Sequence, residues 1–392
     1  MQLTVQHTTA MKTYDWTEHR GIKCSDQSCA RPVEEDYGIH STYLLTQKSI
    51  EIISNHSSSD SPPFFLYLAY QAIHSPPTVP LHYVEMFNDS IQNPKRRLGA
   101  GMIYQMDEGI GNITAALKRH GMLENTVLIF TSDNGAAIGT GDGIGGVNWP
   151  LRGAKHSIWE GGTKVPALIH YPPLFGQGDG DGASFNYSFL FHSADWAPTF
   201  AAIAGIRSDA LSADKKVNGS LLEMDGESHW RNLNMPTGHR QAVREWIYYG
   251  NDNPNHGAAP GRKFGLRYGR YKALFGGGGS PNLWMKYDED TKAPEPVEYE
   301  LEKEGPKALY GKKAMFRLYD LLLDPLETTN AYGSNEELEE IGDRIRKEKL
   351  ALYGAKQTRH SINVGCLSSK SKGKPRLKKI KDANAKGVTW PC

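Results

Sequence analysis

Three short, uninterrupted apolar runs constrain the fold more than any other feature of this sequence. They are residues 63–70 (PFFLYLAY), 126–131 (TVLIFT) and 165–171 (VPALIHY). Runs this short, without alternation, are typical of strands that are buried on both faces of a sheet. Residues 95–120 lie between the first two runs, and their apolar side chains recur at helical spacing. Strands that alternate with helices predict an α/β fold with a mostly parallel sheet flanked by helices.

The C-terminal part of the chain has a different pattern. Residues 1–235 carry the alternation of strands and helices, including a helix predicted within 188–205. Residues 236–392 instead contain strands joined by tight turns, then a charged amphipathic helix at 336–354 and a basic tail. We therefore predict two domains: an α/β domain over 1–235, and a small domain over 236–392 made of an antiparallel sheet and one helix.

Length and charge narrow the classes of function. The chain has 392 residues, more than one ordinary core holds, which supports two domains. Its net charge is +1, so no overall field favours nucleic acid as a partner. No apolar run approaches the roughly 20 residues of a membrane span. The basic run at 369–386 is either a solvated tail or a surface for an anionic polymer. Nothing in the sequence sets an oligomeric state.

Glycosylation signals and cysteines bear on the cellular compartment. Asn-x-Ser/Thr sequons occur at Asn55, Asn88, Asn112, Asn186 and Asn218. So many sequons favour a secretory or lysosomal protein. Of the four cysteines, Cys24 and Cys29 lie close enough in a polar loop to form a small disulfide, whereas Cys366 and Cys392 need not pair with each other. The segment after Met1 has no signal-peptide pattern, so either the protein is cytosolic or its true N-terminus lies upstream.

Polar side chains follow two of the predicted strands, where ligands gather in α/β sheets. Asp133 and Asn134 come directly after the second apolar run, and His74 comes after the first. A carboxylate and an amide oxygen suit Ca²⁺, although two ligands do not fill its shell of roughly six to eight. Each residue also has a simpler interpretation: Asp-Asn-Gly is a common turn, His74 is a loop histidine, and Lys155 is a surface lysine.

In order and spacing, these residues resemble those of the sulfatases, most closely the arylsulfatase B-like branch. The similarity is carried by FFLYLAYQAIHSPPTVP, by the segment from MIYQMDEG to IFTSDNG, and by NWPLRGAKHSIWEGGTKVPALI. HSADWAPTF and LYDLLLDPLETTN add support. The resemblance is strong over about residues 40–205 and looser towards the end. It implies the alkaline-phosphatase/sulfatase-like form of the α/β fold.

The resemblance also implies a site and a reaction. Asp133 and Asn134 would be two ligands of a Ca²⁺ ion, and Lys155 and His74 would contact the sulfate of a sulfated glycan or an aryl sulfate ester. A cation and a lysine neutralise the charged ester oxygens, and a histidine exchanges a proton near neutral pH. The branch suggests sulfated N-acetylgalactosamine in glycosaminoglycans as the substrate. A non-catalytic binder of anionic glycans and a phosphoester hydrolase are the alternatives.

The nucleophile of the sulfatases is a formylglycine made from the cysteine of a C-x-P-x-R motif. None of the four cysteines here lies in that motif, since Cys29-Ala30-Arg31-Pro32 has related residue types in the wrong order. The Asp pair and the lysine and histidine block of the family are absent as well. The resemblance therefore implies a sulfatase without its N-terminal portion, whose signal peptide would direct it to the lysosome or out of the cell. We expect this chain alone to hydrolyse sulfate esters poorly or not at all.

Overall fold

The computed structural model describes the backbone of residues 2–5, 16–19, 30–32, 36, 38–56, 62–138, 145–175, 184–207, 216–217, 220–221, 225–249, 264–275, 278–279, 282–287, 294–297 and 316–358. The chain divides into two compact units, one formed by Met1–Leu44 with Tyr353–Cys392 and the other by Leu45–Leu352. All four residues predicted to bind the metal or the sulfate belong to the second unit.

The helices in the described ranges are α1 (Ser41–Asn55), α2 (Leu81–Glu85), α3 (Pro94–Arg119), α4 (Glu160–Thr163), α5 (Pro172–Phe175), α6 (Trp196–Ile203), α7 (Trp230–Leu233) and α8 (Glu336–Thr358). Short 3-10 turns lie at Leu123–Asn125, Ser193–Asp195 and Thr237–His239. The strands are β1 (Gln2–Val5), β2 (Trp16–His19), β3 (Ala30–Pro32), β4 (Leu128–Thr131), β5 (Ala167–His170), β6 (Lys216–Val217), β7 (Ser220–Leu221), β8 (Trp246–Tyr249), β9 (Phe264–Tyr268), β10 (Tyr271–Phe275), β11 (Trp284–Tyr287), β12 (Pro294–Val297) and β13 (Phe316–Asp320).

Helix α3 confirms the strongest helical pattern in the sequence. Asn93 caps its start, because the side-chain oxygen accepts hydrogen bonds from the backbone nitrogens of Lys95 (3.0 Å) and Arg96 (3.2 Å). Pro94 occupies the first helical position, where no backbone donor is needed. Gly121 follows the last turn with a φ of 68°, which is the left-handed conformation that glycine adopts easily at a helix end.

The prediction of a doubly buried strand over residues 63–70 is wrong. The segment pairs with none of the described strands, and its side chains alternate. Phe64 and Leu68 pack against the core that Ile53 of α1 forms with α3. Phe65 and Tyr67 are 70% and 80% exposed. A short apolar run reports hydrophobicity, but it does not show whether partner strands are present on either side.

Strands β4 and β5 confirm the other two predicted strands but differ in their pairing. They pair antiparallel, with Leu128 opposite His170 and Thr131 opposite Ala167. The pairs that the described strands form are all antiparallel, so the predicted parallel pairing has no counterpart among them. Strand β4 ends two residues before Asp133, which therefore lies at the tip of a strand as the sequence predicts.

The small C-terminal antiparallel sheet and its helix are confirmed. The strand order is β13-β10-β9-β8, and Gly269 turns the β9–β10 hairpin with a φ of 52°. Leu266, Leu318 and Ile345 of α8 lie in its core, each with no exposed surface. Helix α8 runs past its predicted end at residue 354 to residue 358.

The remaining described pairs are small. Strands β1, β2 and β3 form a three-stranded antiparallel sheet that the sequence did not predict, and β6–β7 and β11–β12 are two-stranded. No helix in the described ranges is both long enough and apolar enough to cross a membrane. Several predictions fall on residues outside those ranges: the basic tail, Cys24, Cys29, Cys366, Cys392 and Asn218.

Candidate functional site

The loop after β4 presents two oxygen atoms that could bind a cation. Asp133 is exposed, and its Oδ1 accepts a hydrogen bond of 2.7 Å from the backbone nitrogen of Asn134. The side-chain nitrogen of Asn134 donates to the carbonyl of Gly135 at 3.0 Å. In the described part of the chain, no hydrogen bond occupies Oδ2 of Asp133 or Oδ1 of Asn134. These oxygens are of the kind that Ca²⁺ prefers.

Gly135 fits a place where no side chain could. Its backbone nitrogen donates to the carbonyl of Gly162 at 3.1 Å. A Cβ atom at Gly135 would lie 1.8 Å from the carbonyl oxygen of Gly161. The loop that carries Asp133 and Asn134 is therefore pressed against the Glu160–Thr163 turn, and only glycine allows this approach.

Asn148 joins the same loop to the segment that carries Lys155. Its Oδ1 accepts from the backbone nitrogen of Ala136 at 2.8 Å, and its Nδ2 donates to the carbonyls of Ala136 (3.0 Å) and Gly153 (3.1 Å). The backbone nitrogen of Lys155 also donates to the carbonyl of Ala136, at 3.0 Å. The structure thus joins the loop that carries Asp133 and Asn134 to the turn that carries Lys155, through Ala136 and Asn148. Asn148 was not predicted from the sequence, because a single Asn before Trp-Pro has no distinctive pattern.

Lys155 lies in a tight turn. The backbone nitrogen of Ser157 donates to the carbonyl of Ala154 at 2.9 Å, and the Ser157 hydroxyl donates to the same carbonyl at 2.6 Å. His156 completes the turn with a φ of 73°, which is unfavourable for a residue with a Cβ atom. The turn leaves Lys155 half-buried.

His74 lies in a separate turn, in the loop after residues 63–70. Its backbone nitrogen donates to the carbonyl of Gln71 at 2.8 Å, and its Nδ1 lies 2.7 Å from the carbonyl oxygen of Ser75. The residue is exposed. That His74 faces the same ligand as Lys155 stays a prediction.

The oxygen atoms at the tip of β4 are of the type that Ca²⁺ prefers, but they are too few to fill its coordination shell. Asp133 and Asn134 supply two oxygens, and within the described ranges no three His, Cys, Asp or Glu side chains come together as a metal site. A Ca²⁺ ion bound there would need water or other groups for the rest of its shell.

A buried ion-pair network lies next to this site, and sequence reasoning missed it. Lys272 of β10 has no exposed side-chain surface, and its Nζ lies 2.8 Å from Oε1 of Glu160 and 2.9 Å from Oε1 of Glu327. Arg267 approaches the other oxygen of Glu160 at 3.4 Å. Oε2 of Glu327 accepts from the backbone nitrogen of Glu160 at 2.8 Å. We call Glu160, Lys272 and Glu327 the buried triad.

Electrostatics distinguish the two carboxylates of the buried triad. Burial acts to raise the pKa of Glu160, but the positive charges of Lys272 and Arg267 outweigh it and hold the pKa below its usual value. Burial raises the pKa of Glu327, and repulsion from Glu160 adds to the increase against the attraction of Lys272. Burial lowers the pKa of Lys272, but the two carboxylates more than compensate and raise it above its usual value. Lys272 is therefore charged in the folded protein.

Arg152 connects the buried triad to two tryptophan rings. Its guanidinium lies between the rings of Trp159, at 3.8 Å, and Trp284, at 4.4 Å. Its Nη1 donates to the carbonyl of Glu327 at 2.7 Å. Such a stacked arginine is held by both its charge and its flat surface.

A second buried cluster surrounds Asp195, just before α6. Its carboxylate accepts hydrogen bonds from Nε of Arg244 (2.9 Å) and from the backbone nitrogens of His192 (2.7 Å) and Glu227 (2.8 Å). Nε2 of His229 lies 3.3 Å away. Burial acts to raise the pKa of Asp195, but these hydrogen bonds hold it well below its usual range. The cluster joins segments that are more than 30 residues apart, so we expect it to have a structural role.

Four of the predicted glycosylation sites lie in described ranges. The side chains of Asn55, Asn88, Asn112 and Asn186 are all exposed. Oδ1 of Asn88 accepts a hydrogen bond from Arg97. Exposure is what attachment of a glycan requires, and their modification stays a prediction.

The sulfatase family profile matches residues 5–206, about half of the chain. The matched range contains His74, Asp133, Asn134 and Lys155. The chain therefore belongs to the sulfatase family, which is a family of sulfuric ester hydrolases.

Several curated proteins are similar to this chain. Arylsulfatase J of Mus musculus is 37% identical over 198 residues, which are 50% of this chain and 29% of the mouse protein. N-acetylgalactosamine-6-sulfatase of Mus musculus is 33% identical over 131 residues, 33% of this chain and 24% of that protein. Arylsulfatase G of Canis lupus familiaris is 28% identical over 291 residues, 71% of this chain and 48% of that protein. The chain thus spans less than half the length of each of these relatives.

Solved structures show the same fold. Ps i-CgsB in complex with k-i-k-neocarrahexaose is 25% identical, with a TM-score of 0.53 over 78% of this chain and 54% of the other. The PsFucS1 sulfatase from Pseudoalteromonas sp. is 20% identical, with a TM-score of 0.54 over 80% of this chain and 52% of the other. The chain has the α/β fold of the sulfatases, which resembles that of alkaline phosphatase, with an antiparallel sheet in its C-terminal part.

Proposed function

We propose that this chain carries the cation-binding and sulfate-binding side of a sulfuric ester hydrolase that acts on sulfated glycans. One observation carries the proposal: the Asp133–Asn134 loop and the Lys155 turn are joined by hydrogen bonds through Ala136. A cation-binding group and a fixed lysine are thereby held in adjoining loops. This arrangement suits an anionic sulfate ester, whose charged oxygens need positive partners.

Each side chain has a distinct role in this proposal. Asp133 and Asn134 would hold Ca²⁺, which supplies positive charge to the sulfate oxygens when it is bound. Lys155 would donate a charge-assisted hydrogen bond to another sulfate oxygen and orient the ester. His74 would exchange a proton with the leaving oxygen. The family's nucleophilic motif does not occur among the 392 residues, so we expect binding by this chain but no turnover.

The similar proteins support a sulfated glycan as the ligand. One relative is named for the 6-sulfate of N-acetylgalactosamine, and one similar structure holds a neocarrahexaose oligosaccharide. We propose sulfated N-acetylgalactosamine in glycosaminoglycans as the substrate class, and a lysosomal or secreted location in keeping with the exposed sequons. The competing function is a non-catalytic binder of anionic glycans that uses Lys155 and the basic tail.

Replacing Lys155 by methionine is expected to weaken binding of a sulfated ligand about tenfold. A hydrogen bond to a charged group contributes about 1.5 kcal/mol, and methionine keeps the length of the side chain without the charge. The measurement is calorimetric titration of a chondroitin 4-sulfate disaccharide in the presence of Ca²⁺.

Lys118→Met is the matched control, because Lys118 is an exposed lysine on α3. We expect it to leave the affinity unchanged. Equal affinities for the wild type and Lys155→Met, with loss of binding only when the lysines of 369–386 are neutralised, would contradict the proposed role of Lys155.

A further inference from the structure

We propose that Lys272 is a positioning residue for the sulfate site, acting through Glu160 on the turn that carries Lys155. This inference rests on the proposed function, because it assigns to Lys155 the role of a ligand-binding side chain. Lys272 lies on β10, 112 residues along the chain from Glu160 and in the C-terminal sheet. The affinity of the Lys155 site for its ligand would therefore depend on the charge of Lys272 in the C-terminal sheet.

The buried triad holds Glu160 through both its side chain and its main chain. The side chains of Lys272 and Glu327 are fully buried, and that of Glu160 is 4% exposed. The ammonium contacts one oxygen of each carboxylate, and Glu327 also accepts a hydrogen bond from the backbone of Glu160. Glu160 is thus held by its side chain and by its main chain at once. A contact of this kind fixes the position of the peptide as well as the side chain.

The turn at Glu160 packs directly against the segment that carries Lys155. Gly161 and Gly162 follow Glu160, and Cβ atoms there would lie 2.5 Å from the carbonyl oxygen of Arg152 and 2.4 Å from that of Ala154. Gly161 also donates a hydrogen bond of 2.7 Å to the Arg152 carbonyl. No free space separates the turn at Glu160 from the turn at Lys155. A shift of Glu160 would therefore be transmitted directly to the segment that carries Lys155.

The same two glycines contact the cation-binding loop. Gly162 accepts the hydrogen bond from Gly135, and the Gly161 carbonyl is the atom that excludes a side chain at Gly135. Through these two glycines, the buried triad is in contact with both loops of the candidate site.

The backbone of Glu327 gives independent support. Its φ is 57°, in the left-handed region where a residue with a Cβ atom is strained, and yet it is fully buried. Glycine or asparagine would adopt this conformation at lower cost. Strained residues persist where the surroundings fix them, and they are frequent at functional sites. Here the carboxylate binds Lys272 and Glu160, and the carbonyl binds Arg152.

Stability alone does not account for these three charges. Lys272 lies 4.9 Å from the ring of Tyr249, which packs against the apolar cluster of Ile158, Trp159, Leu274 and Tyr319. Apolar side chains of the same volume are often as stabilising as a buried ion pair, because desolvation of the charges offsets their attraction. Charged side chains differ from apolar ones because their hydrogen bonds depend on direction. They therefore restrict the positions that their partners can occupy. The buried triad is therefore better suited to fixing the position of Glu160 than to adding stability.

A variant without the three charges tests whether the buried triad positions Glu160 or stabilises the fold. We call Glu160→Gln/Lys272→Met/Glu327→Gln the charge-free variant, and it leaves none of the three groups as an orphaned buried charge. We expect its urea unfolding midpoint to stay close to that of the wild type. Hydrogen exchange of amides 153–163 should become at least tenfold faster, with no change in helix α3. Affinity for the chondroitin 4-sulfate disaccharide should fall at least fivefold, and Lys272→Arg, which keeps the charge, should retain most of it.

Unchanged exchange in 153–163 would overturn the inference, and so would faster exchange throughout the protein, which indicates only general destabilisation. If the charge-free variant does not fold, Glu327→Gln gives the same readout, because it keeps the Lys272–Glu160 pair. Exchange at least threefold faster in 153–163 would support the inference. Unchanged exchange in that segment would contradict it. If the wild type binds the disaccharide no better than Lys155→Met, the proposed function fails, while hydrogen exchange still decides whether Lys272 positions the turn.

Discussion

Replacing Arg244 by methionine is expected to destabilise the protein by about 3 kcal/mol or more. Asp195 has no exposed surface, and Arg244 binds both of its carboxylate oxygens. The variant leaves that carboxylate buried with its backbone donors and His229 but without a full counter-charge. Breaking a buried pair in this way typically costs 3–5 kcal/mol. The measurement is urea unfolding at pH 7, followed by tryptophan fluorescence.

Arg231→Met serves as the control, since Arg231 is an exposed arginine of α7. We expect its effect to lie within about 0.5 kcal/mol. The pH dependence gives a second check. The folded pKa of Asp195 lies below the unfolded value of about 3.9, so its stabilising contribution is present above that pH and is lost as the pH falls below it. Arg244→Met should show a smaller loss between pH 4 and pH 3. Equal stability of the two arginine variants would contradict the structural role of the cluster.

Replacing Trp159 by alanine is expected to destabilise the protein by about 3–5 kcal/mol. The indole has no exposed surface, packs edge-on against Tyr319 at 5.9 Å and lies beneath the guanidinium of Arg152. A Cβ atom at Gly278 would lie 2.1 Å from the indole, so that the chain contacts the ring directly there. The cavity left by alanine could not close without moving Arg152 and its partners. Thermal unfolding measured by calorimetry gives the size of the effect.

Trp149→Ala is the matched control, because Trp149 is 38% exposed and lies 6.0 Å from Lys286. An exposed cation–π contact contributes about 0.5–1 kcal/mol, so we expect an effect of that size. If Trp159→Ala were no more destabilising than Trp149→Ala, the packing of Trp159 with Tyr319 and Arg152 would not stabilise this part of the fold.

Local patterns in the sequence predicted the elements that depend on near neighbours. Helix α3 has its apolar face within one continuous segment at helical spacing, and the predicted helix was confirmed. The β9–β10 hairpin was equally predictable, because its turn at Gly269 lies between two apolar strands. Residues 63–70 were misread because their burial depends on which strands pair with them, and that information is not local.

The candidate site also contains residues that the sequence predicted and residues that it could not predict. Asp133, Asn134 and Lys155 lie in segments whose order and spacing resemble the sulfatases, and the structure brings their loops together. The partners that hold those loops could not be predicted. Glu160 and Lys272 are 112 residues apart, and Glu160 and Glu327 are 167 apart. Single charged residues at such separations carry no periodicity, so only the folded chain shows that they meet.

The central claim is that the Asp133–Asn134 loop and Lys155 act on one ligand, and coupled binding tests it most directly. The measurement is titration of the chondroitin 4-sulfate disaccharide into the wild type and into Asp133→Asn, with and without Ca²⁺, using Asp107→Asn on the exposed face of α3 as the control. We expect Ca²⁺ to increase the affinity of the wild type and of the control about fivefold or more, as is typical of coupled sites, and Asp133→Asn to lose this increase. The same affinity with and without Ca²⁺ in the wild type would contradict a shared site.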